Sequence, residues 1–289
     1  MTAPFPTRRQ EDWRYADLDA LQPLWEDLGE PERIAVLPGQ SLEQTWLPAG
    51  EPVQVRRVAI SLGAGARLRL FALNTAEQYG RIELDVSLGE GASFEVFAAN
   101  IGTGLSTNEI VTTIRHLEPG ASSRQAVRSV LNGKATGSYL GKIEVARGAQ
   151  KTDAEQSVKA MLLDRGATAN AKPELEIFAD DVKCAHGASV GELDPDQLFY
   201  LGSRGLPPAA ARALLLEGFV MGLWDGAKDG EAIREAARAA LRRAAQSPLP
   251  FRGAEEPRSG AGVGASSVAT SVHPPTPSPS PEGEGRKWR

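Results

Sequence analysis

Cysteine is almost missing from this chain: Cys184 is the single thiol in 289 residues, which excludes an internal disulfide framework. Histidine is nearly as scarce, at His116, His186 and His273. One cysteine and two usable histidines cannot supply the four ligands of a closed zinc or iron-sulfur site, so the ligand count points to a site shared with another chain. No run of about 18 apolar residues occurs, so no membrane-spanning helix is expected. The opening MTAPFPTRRQEDW also lacks the apolar stretch of a signal peptide. Basic residues are in deficit, 32 Lys and Arg against 37 Asp and Glu with a formal charge of -5. Nucleic-acid proteins usually concentrate positive charge, so nucleic acid is not an expected partner. A P-loop is lacking too: GKA at Gly133 and GKI at Gly141 have neither the earlier glycine nor the following Ser or Thr, so no ATP site is expected in this chain. These absences fit a soluble protein of a reducing, cytoplasmic compartment, and 41% apolar content is enough for a sizeable core.

What is present is a long β-rich middle. From Val53 to about Ile177 the chain breaks into short alternating segments, VQVRRVAISL, ARLRLFAL, RIELDVSL, SFEVFAA, EIVTTI, QAVRSV and YLGKIEV, which read as strands. A Gly-Ala pair recurs between them at Gly65, Gly91, Gly120, Gly148, Gly166 and Gly187, spaced by 26, 29, 28, 18 and 21 residues. Recurrence on that scale marks a repeat architecture in which each unit buries its apolar face against the next. Glycine would supply a left-handed corner and alanine the small inward position after it. A β-sandwich would also show many short strands. The recurring corner dipeptide favours a β-solenoid, and the lack of a six-residue apolar period disfavours a left-handed hexapeptide helix.

Both flanks have a different texture. Glu11 to Leu28 spaces Trp13, Leu18, Leu21, Leu24 and Trp25 in a loosely helical pattern that Pro23 interrupts, and reads as a cap whose Trp13 and Tyr15 pack on the following domain. After residue 193, Asp194 and Pro195 start a helix that runs to Arg204 and stops at Gly205. Pro207 and Pro208 open a second helix along AARALLLEGFVMGLWDGAK, and Asp229 can cap a third, GEAIREAARAALRRAA. The alanine-rich side of that third helix suits either a partner surface or a solvated face laced with i,i+4 ion pairs. From Ser247 onward Pro, Ser, Gly and Glu dominate, so disorder is expected there, with no role for His273. The expected plan is an N-terminal cap segment over 1–50, a β-helix core over 51–193, a C-terminal helical domain over 194–246 and a disordered tail over 247–289.

The chemistry concentrates between Lys172 and Gly205. Leu175 to His186 alternates as one extended strand, and Val182, Cys184 and His186 then share a face. Side chains two apart on a strand stand about 7 Å from each other, so Cys184 and His186 serve one site without touching. Thiol and imidazole suit iron, copper, zinc or sulfur chemistry. His186 and Lys183 would each lower the thiol pKa, although Lys183 points to the opposite face. A lone cysteine is more often an inert buried hydrophobe. His116, in TIRHLEPG, reads as a turn residue or satisfied surface histidine with no site role.

VKCAHGASVGELD followed by LFYLGSRG closely resembles the C-terminal signature of the SufB/SufD family of iron-sulfur cluster assembly proteins, the SufD branch in particular, and RRQEDWRYADL from Arg8 to Leu18 resembles the family's N-terminal motif. The resemblance implies a right-handed parallel β-helix and a non-enzymatic role. It also implies pairing with a SufB-like subunit through the β-helix cores, a transient iron-sulfur cluster assembled where residues matching His186 and Cys184 meet the partner's ligands, and a separate SufC-like ATPase docked on the C-terminal helices. Leu198, Phe199, Tyr200, Arg204 and Phe219 are the candidate ATPase contact, with intradomain packing as the alternative for each. A homodimer is kept as another assembly. Longer family members carry a helical region ahead of the N-terminal motif, and functions of that region are expected to be missing here. Two further readings stay open. One is a purely architectural solenoid with Cys184 and His186 in its core; the other is a polysaccharide-active β-helix enzyme using Asp180 and Asp181, although neighbours on a strand project to opposite faces and such enzymes are usually exported.

Overall fold

The computed structural model describes residues 4–246. The expected disordered tail and His273 lie outside the described residues. Twelve strands alternate between two sheets. One holds β1 (Glu32–Val36), β3 (Val53–Leu62), β5 (Tyr79–Leu88), β7 (Thr107–His116), β9 (Thr136–Val145) and β11 (Thr168–Ile177) in that spatial order. The other holds β2 (Ser41–Trp46), β4 (Arg67–Asn74), β6 (Ser93–Gly102), β8 (Ser122–Leu131), β10 (Asp153–Leu162) and β12 (Lys183–Glu192). Each strand pairs in parallel with the strand two further along the chain, as when Val53 registers with Tyr79 and Thr136 with Thr168. This is a parallel β-solenoid of six coils, each giving one strand to each sheet.

Alternation decides which side chains enter. Leu84, Val86 and Leu88 of β5 point into the same interior as Leu68, Leu70 and Phe94 from the facing sheet, all essentially unexposed. Each such side chain contributes roughly 1.5–3 kcal/mol on burial. Strands β4 and β6 are apolar on both faces, because Phe71, Leu73, Ala99 and Ile101 point outward into a second cluster. That pattern is the mark of a parallel sheet covered on both sides.

The corners stack. Gly39, Gly65, Gly91 and Gly120 all have positive φ and occupy one column, and the amide of each donates to the coil above, as Gly65 N does to Glu90 O at 2.7 Å and Gly120 N to Gln150 O at 2.8 Å. Ala66, Ala92 and Ala121 follow inward with no exposed surface. The Gly-Ala reading holds at these three pairs and fails at the other three. In the fifth coil the left-handed place falls to Lys151 (φ 61°), three residues after Gly148. Gly166 sits at the opposite corner, where a side chain would meet Gly133 O at 2.7 Å, and Gly187 lies inside β12.

The expected single strand from Leu175 to His186 is two strands on opposite sheets. The corner between β11 and β12 tucks Ala179 inward, leaving 7% of it exposed, and shifts the inward positions from odd-numbered (Leu175, Ala179) to even-numbered residues (Val182, Cys184). Phe178 N donates to Val145 O at 2.9 Å and Lys151 N to Asp181 O at 2.7 Å, which fixes the bend.

After β12 come α2 (Pro195–Ser203), α3 (Pro208–Val220) and α4 (Gly230–Ala245). Asp194 caps α2 by accepting from Asp196 N at 2.9 Å, and Gly205 (φ 89°) ends the turn after it. The second helix is shorter than expected: it gives way at Met221 to a 3-10 turn that drives Trp224 fully into the apolar cluster. Asp229 precedes α4 but makes no side-chain cap. The alanine face of α4, with Ile233, Ala237, Ala240, Leu241 and Ala244, packs on the outer side of β4, β6 and β8, so this chain itself covers it. The N-terminal segment, with a short helix α1 (Leu18–Leu21), lies on the outer side of the odd-numbered sheet, where Trp13, Ala16, Ala20 and Leu21 cluster with Tyr79. No helix among the described residues is long and apolar enough to cross a membrane.

Candidate functional site

The sixth coil ends the stack. Among the described residues β12 pairs only with β10, and β11 only with β9, so both sheets finish there on an unpaired edge. Cys184 registers with Ala154, His186 with Gln156 and Ala188 with Val158. Those β10 residues face the interior and are almost wholly buried, so Cys184 and His186 continue the inner row in the last coil of the described residues. Cys184 is half-buried against the core, whereas His186 is exposed. A recess of about 360 Å³ beside them is lined by His186, Gly187, Gln156 and Val158 among others. Both amide atoms of Gln156, which is 1% exposed, lack a hydrogen-bond partner. Nothing in the sequence could flag that glutamine, since its importance depends on register with His186. Ile177, Phe178 and Val190 add exposed apolar surface in the same coil.

The thiol is not primed for nucleophilic chemistry. Burial pushes the Cys184 pKa above its ordinary value and the Asp153 carboxylate adds to the rise, opposite to the lowering expected from His186 and Lys183. Lys183 is exposed and registers with Asp153. Among the described residues no group of three His, Cys, Asp or Glu side chains could hold a metal ion. What the end offers is a soft sulfur and an imidazole on one row, open to a second molecule.

The other candidates separate. Leu198 and Phe219 are half-buried in the cluster beneath the helices. Phe199 and Tyr200 are exposed, at 79% and 56%, and Arg204 lies over the Tyr200 ring at 5.2 Å. Asp180 and Asp181 lie in the corner rather than on a strand, and Asp181 pairs with Lys151. His116 is neither a turn nor a surface residue. It is the last residue of β7, inward between Leu88 and Val145 in register, with no exposed surface. Its Nε2 lies 2.9 Å from Ser123 Oγ, and burial lowers its pKa to about 4. The sequence also hid a buried ion pair. Arg81 meets Glu109 at 3.2 Å with both side chains sealed, and Tyr79 donates to the same carboxylate at 2.7 Å.

A six-coil parallel solenoid with a helical cover thus ends in a coil whose inner row carries one thiol and one imidazole. The sequence matches the SUF system FeS cluster assembly, SufBD core domain, over residues 43–219, and the chain belongs to that family. It is 34% identical over 172 residues to an iron-sulfur cluster assembly SufBD family protein of Synechocystis, a match covering 59% of this chain and 38% of that one. It is 37% identical over 125 residues to the iron-sulfur cluster assembly protein SufD of Escherichia coli (42% of this chain, 30% of that one), and 36% over 120 residues to SufD of Bacillus subtilis (42% and 28%). The matched stretches thus span well under half the length of these relatives.

Proposed function

We propose that this chain is a SufD-like, non-catalytic component of a cytoplasmic SUF assembly complex. The observation that carries the reading is the placement of Cys184 and His186 on the inner row of the last coil, one thiol and one imidazole out of the four ligands a closed site needs. A SufB-like chain would dock on this end and supply the remaining ligands, and a nascent iron-sulfur cluster would be cargo held briefly between the two. A protonated thiol binds iron only after losing its proton, so the incoming cation must offset the burial that holds the Cys184 pKa up. A SufC-like ATPase would dock on α2, where Phe199 and Tyr200 are exposed, with Arg204 beside them and Leu198 and Phe219 supporting from beneath. Hydrolysis in that partner would shift the helical cover and reshape the open end.

The raised thiol pKa and half-burial of Cys184 favour a second reading, in which this residue only packs the last coil and the chain is an architectural subunit. Co-expression with SufB-like and SufC-like partners, followed by anaerobic cluster reconstitution of wild type, His186→Ala and Cys184→Ala, separates the two. A stable complex whose cluster absorbance falls in His186→Ala supports the shared site. Equal cluster yield in all three leaves the architectural role, and a chain that forms only a homodimer refutes the heteromeric reading.

A further inference from the structure

The N-terminal motif RRQEDWRYADL builds a recess that the assembly role does not use. Thr107, Thr136 and Thr168 are the first residues of β7, β9 and β11 and stand in register, so they form a row across the outer face at strand spacing of about 4.8 Å. The segment from Arg8 to Asp17 makes the opposite wall, with Arg8, Arg14 and Tyr15, and encloses an open pocket of about 480 Å³. Three contacts fix that wall: Arg81 Nη1 donates to Asp12 O at 2.8 Å, the same guanidinium lies 3.8 Å from the Trp13 ring centroid, and Lys172 pairs with Glu11 at 2.8 Å. The pocket is formed before anything enters it.

Its donors are unspent. The hydroxyls of the three threonines and of Tyr15 make no hydrogen bond among the described residues, and Arg8 makes no ion pair. Arg14 reaches only Glu11, at 3.8 Å, a carboxylate already engaged more closely by Lys172, and lies against the Tyr15 ring. Elsewhere on this face cations are matched, as in Arg57 with Glu83, Arg115 with Glu144 and Lys142 with Glu176. Asp17, the one carboxylate lining the pocket, accepts from Ala20 N at 3.1 Å, and Asn170 donates to Ser138 Oγ at 3.2 Å. With two guanidinium groups against one carboxylate that already caps a helix, and four hydroxyls free to donate, the recess favours an oxyanion.

We propose that this recess binds the phosphate group of a small phosphorylated molecule. The two arginines neutralise its charge, while the threonine row and Tyr15 donate to its oxygens. The volume lies in the range of small-molecule pockets and exceeds what one phosphate fills.

The test is a calorimetric titration of the full chain with inorganic phosphate and, separately, with adenosine monophosphate. It compares wild type, Arg8→Gln/Arg14→Gln, Thr136→Val and a control, Arg124→Gln, whose side chain pairs with Glu155 on the other sheet. Saturable binding of at least one probe is expected. It should weaken by at least about tenfold in the double variant, by about threefold in Thr136→Val, and not in the control. Tighter binding of the nucleotide than of phosphate identifies a phosphomonoester as the occupant, and equal binding identifies inorganic phosphate. Thr136→Val keeps a β-branched side chain, so it reports even if the arginine variant fails to fold. Titrations that never saturate with either probe, or that weaken equally in the control, overturn the proposal.

Discussion

The two outer faces of the solenoid are covered by opposite means. On the even-numbered sheet the C-terminal segment brings Trp224, Leu216 and Ile233 onto Phe71, Leu73 and Ala99, an apolar contact. On the odd-numbered sheet the N-terminal segment seals a charge instead: Trp13 and the Asp12 carbonyl close over Arg81, which holds Glu109 beneath. The first cover is additive, contact by contact, and tolerant of small changes in shape. The second is all-or-none, because removing one member strands its partner without water. A parallel sheet accepts either cover, and the difference predicts different failure modes.

The largest effect is expected on the apolar side. Trp224→Ala should cost about 4 kcal/mol in chemical denaturation, with the fluorescence of Trp13 and Trp25 on the other face changing only at the main transition. Independent early loss of those two signals would break the idea of separate covers. Arg81→Met should cost about 3 kcal/mol, because Glu109 loses its countercharge. Arg81→Met/Glu109→Leu should recover most of that loss, and a double variant as unstable as the single would show that packing, not charge, holds this face.

The interior gives a pH effect common to both covers. His116 has a folded-state pKa of about 4, below its value near 6.5 in an unfolded chain, so the unfolded state takes up the proton first. Stability should be unaffected above about pH 6.5, fall as pH drops towards 4, and lose about 2–3 kcal/mol over that window. His116→Gln should flatten this part of the profile in urea titrations read at several pH values. The smallest change is Lys151→Gly. It relieves a left-handed backbone at a corner where the coils below use glycine, and gives up an exposed ion pair with Asp181. A gain of about 0.5–1 kcal/mol is expected in thermal melts.

Much of the middle of the fold was legible because alternation is local. Strands β3 to β9 announce themselves by inward Val, Leu and Ile, and three corners by Gly-Ala. Gly39, Gly104 and Gly133 also take left-handed backbone, but Gln, Leu and Lys follow them and hid the pattern. Lys151 carries no signal at all for its corner. That Cys184 and His186 share a face followed from their spacing. That the face is the inner one, and uncovered, did not, because being last in a stack is a property of the whole chain. The Arg81–Glu109 pair escaped for a related reason, since two charges 28 residues apart are joined only by strand register.

Unpaired edges at the end of a parallel stack have a further consequence for the lone protein in solution. Every strand edge left open is a template on which another chain can continue the ladder, and without a check the result is a fibre rather than a defined pair. The last coil carries such a check. Proline, which central strands exclude, is present in β11 as Pro173, and β12 spends Gly187 and Gly191 where strong strand formers would promote growth. Lys183 and Glu192 close the two ends of β12 with charge. The terminal coil is thus made a poor seed for indefinite polymerisation.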